Sequence, residues 1–170
     1  MRPPGRPKGE IPSRRDGAQR QGSTISLLAR AVALLARRDH SRAELARKLK
    51  RYLGDEDPAN IDGVLDELER RKLLSDARFA GAVARTKAGK FGDARIRHDL
   101  RTAGVEDEAA AAALTSLGTE VERARAVWRK RFGVIPTSAA ERGRQARFLQ
   151  SRGFNPETIH LVLRGAVDVD

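Results

Sequence analysis

The sequence predicts an all-α chain made of three tandem three-helix repeats. Three observations carry that expectation. Apolar residues recur at three- and four-residue steps from residue 24 onward, the spacing of one helix face. Helix start and stop signals alternate along the chain. The middle helix of each unit ends in a leucine followed closely by a glycine: Leu49 with Gly54, Leu100 with Gly104, Leu149 with Gly153. The leucines stand 51 and 49 residues apart, which is a period of stacked helical units. No run of alternating β-branched residues appears, so no sheet is expected.

Residues 1–22 are rich in Pro, Gly, Arg and Gln and hold one aliphatic side chain, Ile11. Such a segment buries too little apolar surface to offset its ordering entropy, and a disordered basic tail is expected. The first repeat is placed at 23–75. Ile25, Leu28, Val32 and Leu35 mark its first helix. Ser41-Arg-Ala-Glu44 reads as a capping box opening the second, which carries Leu45, Leu49 and Leu53 and stops at Gly54. Asp57-Pro58 reads as N-cap and first-turn proline of the third, with Ile61, Val64, Leu65 and Leu68 on its apolar face.

The second repeat is placed at 76–118. Ser75 caps a helix bearing Phe79, Ala80 and Val83, and Gly89 to Gly92 breaks it. The next helix carries Ile96 and Leu100 and stops at Gly104. An Ala-rich helix then runs to about Leu117. The third repeat is placed at 119–166. Thr119-Glu-Val-Glu122 is a second capping box, before an apolar face of Val121, Ala124, Val127, Trp128 and Phe132. Gly133-Val-Ile-Pro136 ends that helix. Ser138-Ala-Ala-Glu141 starts the next, and Asn155-Pro156 starts the last, with Ile159, Val162 and Leu163.

Composition narrows the function. The 170 residues hold 34 basic and 23 acidic side chains, a net charge of +11, with 4% aromatics and no cysteine. That balance favours an anionic partner. Without thiols there is no disulfide framework, no Cys-based zinc site and no thiol nucleophile, and the chain suits a reducing, cytoplasmic setting. No stretch approaches a membrane helix, and the basic start has no apolar region behind it, so neither membrane association nor a secretory signal is expected.

Catalytic patterns are missing from the sequence. His40, His98 and His160 each stand alone, without metal-ligand spacing, and all three read as surface histidines. There is no GxxxxGK[ST] loop and no GxSxG elbow. The expectation is a binding protein with no enzymatic activity, no metal and no cofactor.

Two binding surfaces come into view. Helices at 41–71 resemble a helix-turn-helix, the mark of a DNA-binding transcription regulator. Against it, the proposed reading helix carries Asp62, Asp66, Glu67 and Glu69, which repel phosphate. The stronger candidate is a basic cluster in the middle repeat: Arg78, Arg85, Lys87, Lys90, Arg95, Arg97 and Arg101, against only Asp93 and Asp99 between residues 77 and 104. Arg97 and Arg101 lie four apart on one helix, beside the Ile96–Leu100 stripe. Such a surface suits sequence-independent contact with phosphates or an acidic protein groove. Phe91 is the one stacking group near this cluster in sequence, so a single-strand platform has weak support here.

The stretch Leu73-Leu-Ser-Asp76-Ala-Arg-Phe79-Ala80, followed by Gly92-Asp-Ala-Arg95-Ile96-Arg-His-Asp-Leu100-Arg-Thr-Ala-Gly104-Val105, resembles the RecX family of bacterial recombination regulators. Gln145-Ala-Arg-Phe148-Leu149-Gln-Ser-Arg-Gly153-Phe154 is similar to the last unit of that family, and the likeness runs over about residues 24–166. It implies an elongated, curved molecule. It further implies a monomeric, non-catalytic regulator that binds the RecA recombinase and its filament on single-stranded DNA. Such a regulator limits ATP hydrolysis, strand exchange and filament growth in recombination, repair and the SOS response. Single- and double-stranded DNA, bound without sequence preference, are further expected partners, with the basic cluster as the contact face.

Overall fold

The computed structural model describes residues 27–53 and 59–165, and every described element is a helix, a turn or a loop. The basic tail at 1–22, the Gly54 stop and the Asp57-Pro58 cap lie outside the described residues. Helix α1 covers 27–35. It is followed by α2 (Arg42–Lys50), α3 (Ala59–Arg70), α4 (Asp76–Ala88), α5 (Asp93–Thr102), α6 (Asp107–Thr115), α7 (Glu120–Arg131), α8 (Ala139–Ser151) and α9 (Pro156–Leu163).

The start signals work as local chemistry dictates. Ser41, Ser75, Thr119, Ser138 and Asn155 each accept a backbone N–H from three residues on, satisfying one orphan donor of a first turn. Only Thr119 completes the reciprocal box, with the Glu122 carboxylate taking the Thr119 N–H. The stops are equally local. Gly104 and Gly153 have φ of +79° and +80°, the left-handed region where a Cβ is penalised. After each glycine an apolar residue folds back: Val105 N–H donates to Leu100 O at 3.0 Å and Phe154 N–H to Leu149 O at 3.3 Å. Lys72 occupies the same conformation after α3, with φ +58° and no glycine.

Helices α1–α3, α4–α6 and α7–α9 each enclose a separate apolar core. The repeat leucines Leu49, Leu100 and Leu149 are each 0% exposed, so the sequence period marks the centre of each unit. In α1 the buried pair is Leu27 and Ala31, while Val32 is exposed. Eight of the nine residues at 27–35 are apolar, so spacing alone leaves the inward face ambiguous.

The units join in a row by one repeated device, in which the first turn of a middle helix meets the end of the next middle helix. At the first junction Ser41 Oγ donates to Ala103 O, and a Cβ on Gly104 would stand 2.4 Å from Ala43 Cβ. At the second, Gly92 N–H donates to Arg152 O at 2.9 Å and Ala94 N–H to Gly153 O at 3.2 Å. At the second joint, free N–H groups at the start of α5 therefore meet free carbonyls at the end of α8, which also sets the two dipoles head to tail. Acids at the first position of α4 and α7 complete both joints. Asp76 accepts Arg42 N–H at 2.7 Å, and Glu120 accepts Asp93 N–H at 2.8 Å.

His40 corrects the surface assignment. It is 2% exposed, with Nδ1 3.0 Å from Glu44 Oε2, because the chain turns inward just before the Ser41 cap. His98 and His160 are exposed, as expected. Glu44 is drawn away from the reciprocal half of its box by His40 and by Arg38, whose Nη2 lies 2.6 Å from it. Burial alone would raise the Glu44 carboxyl. The hydrogen bonds and charges of Arg38 and His40 outweigh it and hold the group at about 2, against an ordinary 4.5.

A depressed carboxylate stabilises the fold above its unfolded value, and that contribution is lost as pH falls from 4.5 toward 2. The expected size is about 2–3 kcal/mol. Urea titrations from pH 6 to 2.5 should show Glu44→Gln less stable than the parent at pH 6, with the gap closing in acid. A constant gap would contradict this assignment.

Candidate functional site

The seven basic residues of the middle repeat occupy different places. Arg78 is used internally. Its Nε donates to Asp39 at 2.8 Å, Nη2 to Leu73 O at 2.8 Å and Nη1 to Lys72 O at 3.3 Å. It thereby caps the end of α3 and braces the left-handed Lys72 across the first junction. Lys87 and Arg95 converge on Asp99, the arginine at 3.3 Å, and each cation also lies 5.8 Å from the centre of the Phe91 ring. Burial would raise the Asp99 carboxyl, but the Lys87 hydrogen bond and charge, helped by Arg95, hold it below the usual range.

Arg97 and Arg101 are exposed on the other flank of α5, because residues two apart on a helix differ by about 200°. They share one face, as the spacing requires, and have no carboxylate partner among the described residues. Arg85 is exposed on α4, and Lys90 is exposed in the loop before α5. The cluster is thus two outward basic surfaces on either side of α5, plus Arg78 in the joint.

Lys90 and Phe91 continue into the third unit. A groove of about 420 Å³ opens at the second junction. Its apolar lining comes from Phe91, Val127 and Phe148, and its cations are Lys90, Lys130, Arg131 and Arg152. Arg152 lies 3.8 Å from the Phe148 ring centre, and Phe148 meets Phe132 edge to face at 5.1 Å. None of these four cations has a carboxylate partner among the described residues. Arg123, only 10% exposed, holds the groove wall by pairing with Asp93 and reaching Phe91 O at 3.5 Å.

Sequence reasoning missed Lys130, Arg131, Phe148 and Arg152. Phe148 lies 57 residues from Phe91, and only the docking of α8 against the loop before α5 brings them together. A signal was present, since Lys90-Phe91-Gly92 just past α4 and Arg131-Phe132-Gly133 at the end of α7 are the same basic–aromatic–glycine run. The helix-turn-helix expectation finds no support in α3. Asp62, Asp66 and Glu69 lie 3.8, 2.7 and 2.8 Å from the Arg42 guanidinium, so the would-be reading helix is an acidic face tied to α2. Among the described residues no helix is long and apolar enough to cross a membrane, and no group of three His, Asp or Glu side chains is placed to hold a metal.

Comparison with known proteins agrees with this architecture. The model described as RecX, second three-helix domain, matches residues 75–114, and RecX, third three-helix domain, matches 119–163. A regulatory protein RecX of Leptothrix cholodnii is 50% identical over 82% of this chain and 88% of its own. One from Ralstonia nicotianae is 41% identical over 84% and 89%. The crystal structure of RecX from Lactobacillus salivarius has the same fold, with a TM-score of 0.73 at 20% identity over 85% of this chain and 96% of that one. Repeat period, joint chemistry, domain matches and identity over four-fifths of the length converge, and the chain belongs to the RecX family of regulatory proteins.

Proposed function

We propose that this chain binds the RecA recombinase, above all its filament on single-stranded DNA, and restrains ATP hydrolysis, strand exchange and filament growth. The observation that carries the proposal is identity of up to half over most of the chain to regulatory proteins RecX. The architecture supports it. A row of units held by hydrogen bonds at each joint can touch several successive protomers of a helical polymer, and linked contacts raise apparent affinity. Cations on both flanks of α5 suit an acidic protein groove or DNA phosphates. The protein changes filament stability only as far as it binds assembled and free RecA unequally.

A pull-down with RecA, with and without single-stranded DNA and nucleotide, tests this directly. Strongest capture is expected with both present, and equal capture in all conditions would contradict filament preference. Arg97→Glu with Arg101→Glu should weaken capture at least tenfold while leaving helix content unchanged, since both side chains are exposed. Undiminished capture would show that this flank of α5 is idle.

A further inference from the structure

The two junctions carry corresponding grooves with opposite chemistry. The first, about 330 Å³, includes Arg38, Arg47 and Lys87, but also Glu44 and Asp99. There Arg38 pairs with Glu44 and Lys87 with Asp99, so its cations are largely neutralised from within. The second groove uses the same positions one unit on. Counted from the helix caps, Arg38 becomes Gly89, Val83 becomes Val127 and Lys87 becomes Arg131. Counted from the repeat leucines, Asp99 becomes Phe148 and Ala103 becomes Arg152. The carboxylate has given way to an aromatic ring and a further cation has been added. Every charge lining the second groove is positive.

We propose that the second groove docks an acidic, aromatic-bearing peptide segment of a further protein partner, which supplies the carboxylates that the first groove supplies to itself. Lys90, Lys130 and Arg131 take the carboxylates, as charge complementarity requires. The peptide's aromatic side chain packs against Phe91, Val127 and Phe148. Gly89 leaves room beside them, since a Cβ there would meet only open space. A stacked base fits less well, because cations of this chain already lie over both rings. Arg152 is 3.8 Å from the Phe148 centre, and Lys87 and Arg95 are each 5.8 Å from that of Phe91. The groove lies on the Arg95 side of α5, so a peptide bound here leaves the Arg97 and Arg101 flank free. The site thus stands apart from the RecA reading and does not depend on it.

The test measures fluorescence anisotropy of a short labelled peptide of alternating Asp and Phe, with RecA and DNA absent. It should bind at least about tenfold more tightly than an Asp/Ser peptide of equal charge or an Asn/Phe peptide of equal aromatic content. Lys130→Glu with Arg131→Glu, both exposed, should weaken it at least about tenfold at unchanged far-UV dichroism. Phe148→Asp restores the acid of the first groove and should weaken it as much. Arg97→Glu with Arg101→Glu should leave it unchanged. Equal affinity for the Asp/Ser peptide overturns the proposal, as does undiminished binding by the Lys130 and Arg131 variant. If that variant keeps the peptide and loses single-stranded DNA, the groove is a nucleic-acid slot and the proposal fails. If it loses RecA capture, the groove belongs to the RecA face and the separate partner is overturned. RecA capture is scored separately, so either idea can fail alone.

Discussion

Gly92→Ala is expected to cost about 3 kcal/mol and to uncouple the third unit from the second. Gly92 has an ordinary backbone, φ −81° and ψ 171°, so alanine meets no conformational penalty there. The obstacle is external. A Cβ at residue 92 would lie 2.3 Å from Gly153 O and 2.4 Å from both Gly153 C and Phe154 N. These are backbone atoms of the neighbouring unit, and no rotamer relieves them. The junction must open, losing the hydrogen bonds of Gly92 and Ala94 to Arg152 and Gly153. Trp128, the only tryptophan, reports on the third core. In urea its fluorescence transition should precede the dichroism transition in the variant and coincide with it in the parent. Gly89→Ala, in the same loop, is the control, since nothing lies within 4 Å of its Cβ. A Gly92 variant as stable as that control would show the joint to be loose.

Leu100→Ala is expected to cost about 3 kcal/mol by leaving a cavity at a fully buried site. Position in the row decides how the damage spreads. The middle unit holds both neighbours, and in stacked repeats stability is a sum of unit and interface terms. Fluorescence and dichroism transitions should therefore shift together. The matching Leu149→Ala lies in an end unit and should split them. A Leu100 variant that splits the transitions, or loses less than about 1 kcal/mol, would contradict a row centred on that leucine.

The parts of the fold legible in the sequence are those fixed by local chemistry. Caps at Ser75, Thr119 and Asn155, stops at Gly104 and Gly153, and the leucine period all act within a turn or two of the chain. Val32 and His40 show where that reach ends. Whether a side chain faces a neighbouring unit depends on how helices dock, and a stretch as apolar as 27–35 offers several faces. The candidate site was less legible for the same reason. Arg78 reads as a free cation until the end of α3 is brought beneath it, and Arg95 reads as part of one cluster with Arg97 and Arg101 until the helix turns it away from them. The groove joins Phe91 to Phe148 through a contact that no spacing encodes. Asp76 and Glu120 are the exception. An acid directly after the cap opens the first helix in both units, and that coincidence was available as a sign of a repeated joint.

The most direct test of the whole account is the rate of RecA's ATP hydrolysis on single-stranded DNA as this protein is titrated in. Hydrolysis is expected to fall at substoichiometric to near-stoichiometric amounts of protein. A rate unchanged at saturating protein, with RecA and DNA both active, would contradict it.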